Sequence, residues 1–192
     1  MTIVLPDGAP LPGAPSIAPP PVATALLMAL RSCLCDLLKA TTLGPACRCY
    51  LAWGSGFPIQ DGCSCVCEGP LPDGVEHNGD AWVKLDGLDP DGGIDDRGWC
   101  APAWLATITL GVYRCTPVPE EDEVPDADEV TDTSLALASD MTALFQVRAC
   151  CTALDEGARV LTWSPFDITG GCGGSYLTLQ VPLAGTSTGC PV

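Results

Sequence analysis

Basic residues and histidine are what this chain has least of. Eight Lys and Arg stand against 24 Asp and Glu, leaving a formal net charge of −16, and the one histidine is His77. Proteins that grip nucleic acid neutralise phosphates with Lys and Arg, so this balance argues against ordinary nucleic-acid binding, although not against enclosing DNA without holding it. Any Ser-His-Asp or Cys-His device must use His77, which sits in a Gly-, Asp- and Glu-rich stretch that reads as a solvated loop. The string G-x-S-x-G is absent; the nearest approach is WGSGF at Trp53 to Phe57. Gly171 to Ser175 (GCGGS) lacks the Lys of a phosphate-binding loop and precedes a strand-like run, so it reads as a turn. The segment from Asp86 to Asp96 (DGLDPDGGIDD) hints at calcium, but its acids do not fall in EF-hand order and Gly93 stands where an acidic ligand is needed. No catalytic, cofactor or metal residue is assigned, and the chain is read as a non-enzyme.

Long apolar runs are missing as well. The longest, Val22 to Leu30, stops at Arg31 and is about half of what a bilayer requires. No basic residue precedes it, and Asp7 sits where a secretory leader carries positive charge. The expectation is therefore folding in a cytosol, with thiols reduced. Yet 47% of the residues are hydrophobic and the mean hydropathy is +0.27. Because the charge is concentrated locally, the remainder is unusually apolar. A subunit with large self-association surfaces has this composition, and so does a monomer with a large core.

What the chain has in abundance is cysteine, thirteen in all: Cys33, Cys35, Cys47, Cys49, Cys63, Cys65, Cys67, Cys100, Cys115, Cys150, Cys151, Cys172 and Cys190. An odd number forbids complete intramolecular pairing. On a strand, residues i and i+2 share a face with side chains roughly 7 Å apart, beyond the roughly 4 Å Cβ separation of a disulfide, so the C-x-C pairs do not bond within themselves. Adjacent Cys150 and Cys151 diverge by about 100° on a helix. A zinc site built from Cys63, Cys65 and Cys67 with Cys47, Cys49 or His77 matches no common zinc module. Cross-strand disulfides, Cys47 or Cys49 with Cys63, Cys65 or Cys67, and Cys100 with Cys115 or Cys172, are the alternative in an oxidising setting. The favoured reading is reduced cysteine packing the sheet and core as a small hydrophobe.

One domain of 192 residues is expected. Residues 1–21, rich in Pro, Gly and Ala, form an extended arm, and 22–192 form the domain. Val22 to Ala40 reads as an amphipathic helix opened by Pro21, with Leu27, Leu30, Leu34, Leu37 and Leu38 inward and Gly44 and Pro45 beyond its end. Cys47 to Leu51 and Cys63 to Cys67 alternate like two strands of a hairpin, Ala81 to Leu85 is a third strand, and Asp86 to Gly98 a loop. Trp104 to Cys115 is the clearest strand, rich in β-branched and aromatic residues. Acidic residues dominate 119–130, and Glu120 to Glu129 reads as a mobile loop. Thr133 or Ser134 caps a second helix running to about Ala153, with Leu137, Met141, Leu144, Phe145 and Ala149 inward. Arg159 to Trp163 and Ser175 to Val181, two strands joined by PFDITGGCGG, close the domain. The order predicts α+β: a mostly antiparallel sheet with both helices on one face.

Four strings, CRCYLAWGSGF, ATITLGVYRCTPVP, DMTALFQVRACC and WSPFDITGGCGGSYLTLQV, resemble proteins from the head-to-tail connector region of tailed phages of actinobacteria. The order of elements is similar to the tail-terminator and tail-completion family, and the resemblance covers most of residues 22 to 182. It implies a structural virion subunit that assembles in the host cytoplasm into a ring, usually hexameric. The ring caps the tail tube, meets a head-side connector or stopper protein, and surrounds DNA without specific binding and without a membrane. An acidic loop facing the lumen would repel phosphates. Alternatives are a stopper or adaptor of the same neck, and a monomeric cysteine-rich metal-binding or redox module.

Overall fold

The computed structural model describes residues 21–53, 78–90, 103–116, 126–154, 156–169 and 171–184. The proline-rich arm, the strand expected at Cys63 to Cys67, His77, Cys100, Cys190 and the acidic residues 117–125 lie outside them. The described elements are helix α1 (Pro21–Leu38), strands β1 (Arg48–Ala52), β2 (Asp80–Pro90) and β3 (Ala103–Cys115), helix α2 (Ala127–Cys150), and strands β4 (Arg159–Thr169) and β5 (Cys172–Ala184). The strands make one sheet in the order β1-β2-β3-β5-β4, antiparallel except for β1 against β2. The fold is α+β, as the element order predicts.

Alternation along the strands divides the sheet into two faces. Ala81, Val83 and Leu85 on β2, Ala106, Ile108, Leu110 and Val112 on β3, and Leu177, Leu179, Val181 and Leu183 on β5 point to one side. They join Ala23, Leu26, Leu30, Leu34 and Leu38 of α1 and Ala143, Leu144 and Val147 of α2 in a single core. Both helices thus cover one face. On α1 the inward stripe falls close to expectation, with Leu27 and Leu37 at its margin.

The second face is built of rings and glycines. Trp82 covers Gly111, where a Cβ would run into its indole, so only glycine leaves room for the buried ring. Tyr113, Gly174 and Phe166 lie in one cross-strand row. A Cβ at Gly174 would run into the Val112 carbonyl, so glycine is required there too, and the rings of Tyr113 and Phe166 from the strands on either side stack at 4.6 Å, with Tyr176 meeting Phe166 at 5.0 Å.

Several boundaries differ from the sequence-based expectation. Helix α2 starts at Ala127 rather than near Thr133: the carboxylate of Asp126 caps it by accepting from the Asp128 amide at 2.8 Å, and Asp128 and Glu129 occupy its first turn. Acidic residues there complement the helix dipole, so the last part of the expected acidic loop is helix. The inward residues of α2 are Ala136, Asp140, Ala143, Leu144 and Val147; Phe145 and Ala149 are exposed, and Leu137 and Met141 half-buried. Strand β2 runs through Asp86 to Pro90, past a bulge between Leu85 and Gly87, where a loop was expected. Strands β4 and β5 continue until Thr169 pairs with Cys172 around a turn at Gly171, so most of PFDITGGCGG is strand.

Asp140 is inward because of Arg114, the next inward position on β3 after Val112. Both side chains are fully buried. Arg114 Nε donates to Asp140 Oδ2 at 2.6 Å and Nη2 to Oδ1 at 3.1 Å. Nη2 also donates to the Gly44 carbonyl at 2.7 Å, while Nη1 donates to the Pro45 carbonyl at 3.3 Å and to that of Asn78. The five N–H donors of a guanidinium therefore meet five acceptors.

Removing one member of a buried pair strands the other, so Asp140→Ala and Arg114→Ala should each cost about 3–5 kcal/mol in urea unfolding. Replacing a buried pair with two apolar residues often restores stability. Here the Arg114→Leu/Asp140→Leu double variant should stay destabilised, because the Gly44, Pro45 and Asn78 carbonyls lose their donor; full recovery would contradict this account.

Candidate functional site

Several polar groups of the second face bond to one another, although the buried Tyr113 hydroxyl has no hydrogen-bond partner among the described residues. Lys84 Nζ contacts Asp86 Oδ1 at 2.7 Å, Thr109 Oγ1 donates to Asp86 Oδ2 at 2.5 Å, and the Thr109 and Thr178 hydroxyls are 3.0 Å apart. At one end Arg48 forms a two-pronged pair with Asp80, at 2.9 and 2.7 Å. Burial holds the Tyr113 phenol well above its ordinary range, with Tyr50 adding to the shift. These groups tie β1, β2, β3 and β5 together.

The cysteines depart most from expectation. Cys35 of α1 and Cys49 of β1 form a disulfide, with Cα atoms 6.3 Å apart. Cys47, Cys115 and Cys172 are disulfide-bonded too. Reduced packing therefore fails for these five residues. The bond joins a helix to a strand rather than two strands, because Cys49 alternates with Tyr50 onto the helix-covered face and meets α1 there. A disulfide sulfur is not a thiolate, so Cys47 and Cys49 are lost to the zinc set considered from the sequence; Cys63, Cys65, Cys67 and His77 lie outside the described residues. Among the described residues, no group of three or more His, Cys, Asp or Glu is placed to hold a metal ion.

Cys33, Cys150 and Cys151 are free thiols. Cys33 on α1 hydrogen-bonds with Cys151, which caps α2, and burial together with that bond pushes the Cys33 thiol up to about 12. Only Gly171 of the expected turn Gly171 to Ser175 belongs to a turn; Cys172 to Ser175 open β5 and pair with β3. Asp86, first of the calcium-like acids, is already engaged by Lys84 and Thr109. No helix among the described residues is long and apolar enough to cross a membrane.

Large apolar side chains are exposed at both sides of the sheet. At the β1 side are Leu51 and Trp53, the latter 81% exposed. At the β4 side are Val160, Leu161 and Trp163, with Phe145 of α2 tilted against Trp163 at a ring separation of 4.9 Å. Trp163 Nε1 donates to the Met141 carbonyl at 2.9 Å, which fixes the indole against α2. These are exposed apolar patches that the sequence reading does not identify: it puts Phe145 in the core and gives Trp53 no place in a strand. No protein-family model and no curated protein matches this chain.

The loop closed by Cys35–Cys49 spans 14 residues in sequence separation, a length for which chain-entropy arguments give about 3 kcal/mol. A Cys35→Ser/Cys49→Ser variant should melt roughly 6–12 °C lower by calorimetry. The free thiols should differ in reactivity. Cys150 is exposed, whereas Cys33 keeps its proton until pH approaches 12. Iodoacetamide at pH 8 should label Cys150 first, with Cys33 reacting only at much higher pH. A thiol whose folded value is raised favours the folded state below the ordinary value of about 9, and that contribution is lost as pH climbs toward 12. Peptide mass spectrometry across pH 7–11 reads the order, and early Cys33 labelling would refute it.

Proposed function

We propose that the chain is a structural subunit of a phage neck, the tail terminator, whose ring caps the tail tube and offers a second face to the head-side connector or stopper. The order of elements carries this reading: an N-terminal helix, strands, the long β3, a second helix and a closing strand pair follow the order of the resembled family. Strand β1 pairs in parallel with β2, and the hairpin partner expected for it, Cys63 to Cys67, lies outside the described residues. Two further observations support assembly: exposed aromatic and aliphatic side chains on both outer strands, and the net charge of −16, which keeps unassembled chains apart in solution. On this reading the acidic balance of the chain repels phosphate, so DNA passes without adhering. Assembly takes place in the host cytoplasm, and the Cys35–Cys49 bond forms once the particle meets an oxidising medium.

A redox module is the second reading, favoured by the Cys33–Cys151 thiol contact beside an α1 disulfide. Electron microscopy of the purified protein with isolated tail tubes separates the two. Discrete rings seated at tube ends are expected. A compact monomer that leaves tubes bare, together with reversible thiol oxidation, would favour the redox module.

A further inference from the structure

The register of the sheet carries an apolar row across all five strands. Leu51 of β1 pairs with Val83, Val83 with Leu110, Leu110 with Leu177, and Leu177 with Trp163 of β4. All five alternate onto the helix-covered face. The three interior residues are fully buried, whereas Leu51 and Trp163 at the ends are 38% and 42% exposed. The neighbouring row, Leu85–Ile108–Leu179–Val160, repeats the pattern: buried inside, with Val160 38% exposed at the β4 end. Trp53, two residues beyond Leu51, continues the same alternation toward the β1 end of that row. Among the described residues each row is therefore unfinished at both ends, and at both ends on the same face.

Strand directions complete the picture. Since β1 runs with β2, and each of the next three pairings reverses direction, β4 runs opposite to β1. A second copy placed with its sheet in line sets its β4 antiparallel beside β1 of the first, with Trp163 and Val160 of one against Leu51 and Trp53 of the other.

We propose that this chain associates head to tail through these two sides of its sheet, the β4 side of one copy docking beside the β1 side of the next, so that the apolar rows run from subunit to subunit. The occupant is a second copy because one chain supplies both halves of the match: face, row and opposite strand direction. Phe145, standing on Trp163, extends the contact into the helix layer. The contact is heterologous, so it propagates until rotation closes it. It supplies the junction for the proposed ring and rests on that reading only for closure.

The test uses Leu51→Glu, which spoils the β1 side, and Val160→Glu, which spoils the β4 side and keeps the Phe145–Trp163 pair. Light scattering coupled to size exclusion should show assembled wild type and a monomer for each variant alone, with unchanged circular dichroism. An equimolar mixture of the two should form dimers, at twice the 19.8 kDa chain mass, and nothing larger, because one intact junction remains. A Leu51→Glu protein that still assembles, a mixture that stays monomeric, or a wild type monomeric at every concentration would overturn the proposal. Rings of Leu51→Glu protein on tube ends would overturn it while leaving the neck function standing. Wild-type chains that assemble through these sides but ignore tubes would support it and remove the neck function.

Discussion

A guanidinium buried at the end of β3 sets the geometry of the whole domain. Alternation forces Arg114 inward after Leu110 and Val112, and a buried charge persists only when its hydrogen-bonding capacity is met. Asp140 supplies the counter-charge, and the carbonyls of Gly44, Pro45 and Asn78 take the remaining donors. One side chain thereby holds the approach to β1, the approach to β2 and the middle of α2. It also fixes the rotation of α2: with Asp140 inward, Leu144 and Val147 follow it into the core, while Met141 and Phe145, about 100° round the helix from 140 and 144, turn toward β4. The exposed Phe145–Trp163 pair is thus a consequence of the buried ion pair.

The parts legible in the sequence are those where side-chain chemistry and position agree. The leucines of α1 repeat at helical spacing, and the β-branched run of β3 has no competing reading, so both elements fell within two residues of their bounds. The start of α2 was hidden because an acidic run looks like a loop unless Asp126 is recognised as a cap. Its inward stripe was displaced because Asp140, at the centre of that stripe, is a residue type expected outside. Pro165 and the glycines after it read as breakers, yet Pro165 lies on an outer strand, where its missing donor costs little, and Gly174 lies where a Cβ would run into the Val112 carbonyl.

The proposed self-association surface was the least legible part. Exposure of Leu51, Val160 and Trp163 follows from which strands lie outermost, and strand order is a non-local property that no window of sequence contains. The disulfide was missed for a related reason. Pairing was considered between strands, but Cys35 lies on a helix, and only the docking of α1 over β1 brings it to Cys49. That bond holds the shortest strand, five residues in parallel pairing, to the helix layer. The β1 side thus has covalent support where its backbone pairing is most limited.

Outer strands invite indiscriminate pairing, and both of these limit it. Strand β1 is five residues long, while β4 carries Pro165 and register breaks between Val160 and Thr162 and between Phe166 and Thr169. The stretch of regular ladder on β4 is consequently short and bounded, which disfavours open-ended sheet growth. A contact through these sides draws its stability from side chains instead. Apolar burial is roughly proportional to area and indifferent to direction, so matched rows give affinity while the short ladder and bulges set register. The proposed ring would need that division of labour. Its contacts must be strong enough to repeat around a closed circle, yet restricted enough that no copy adds at a second angle.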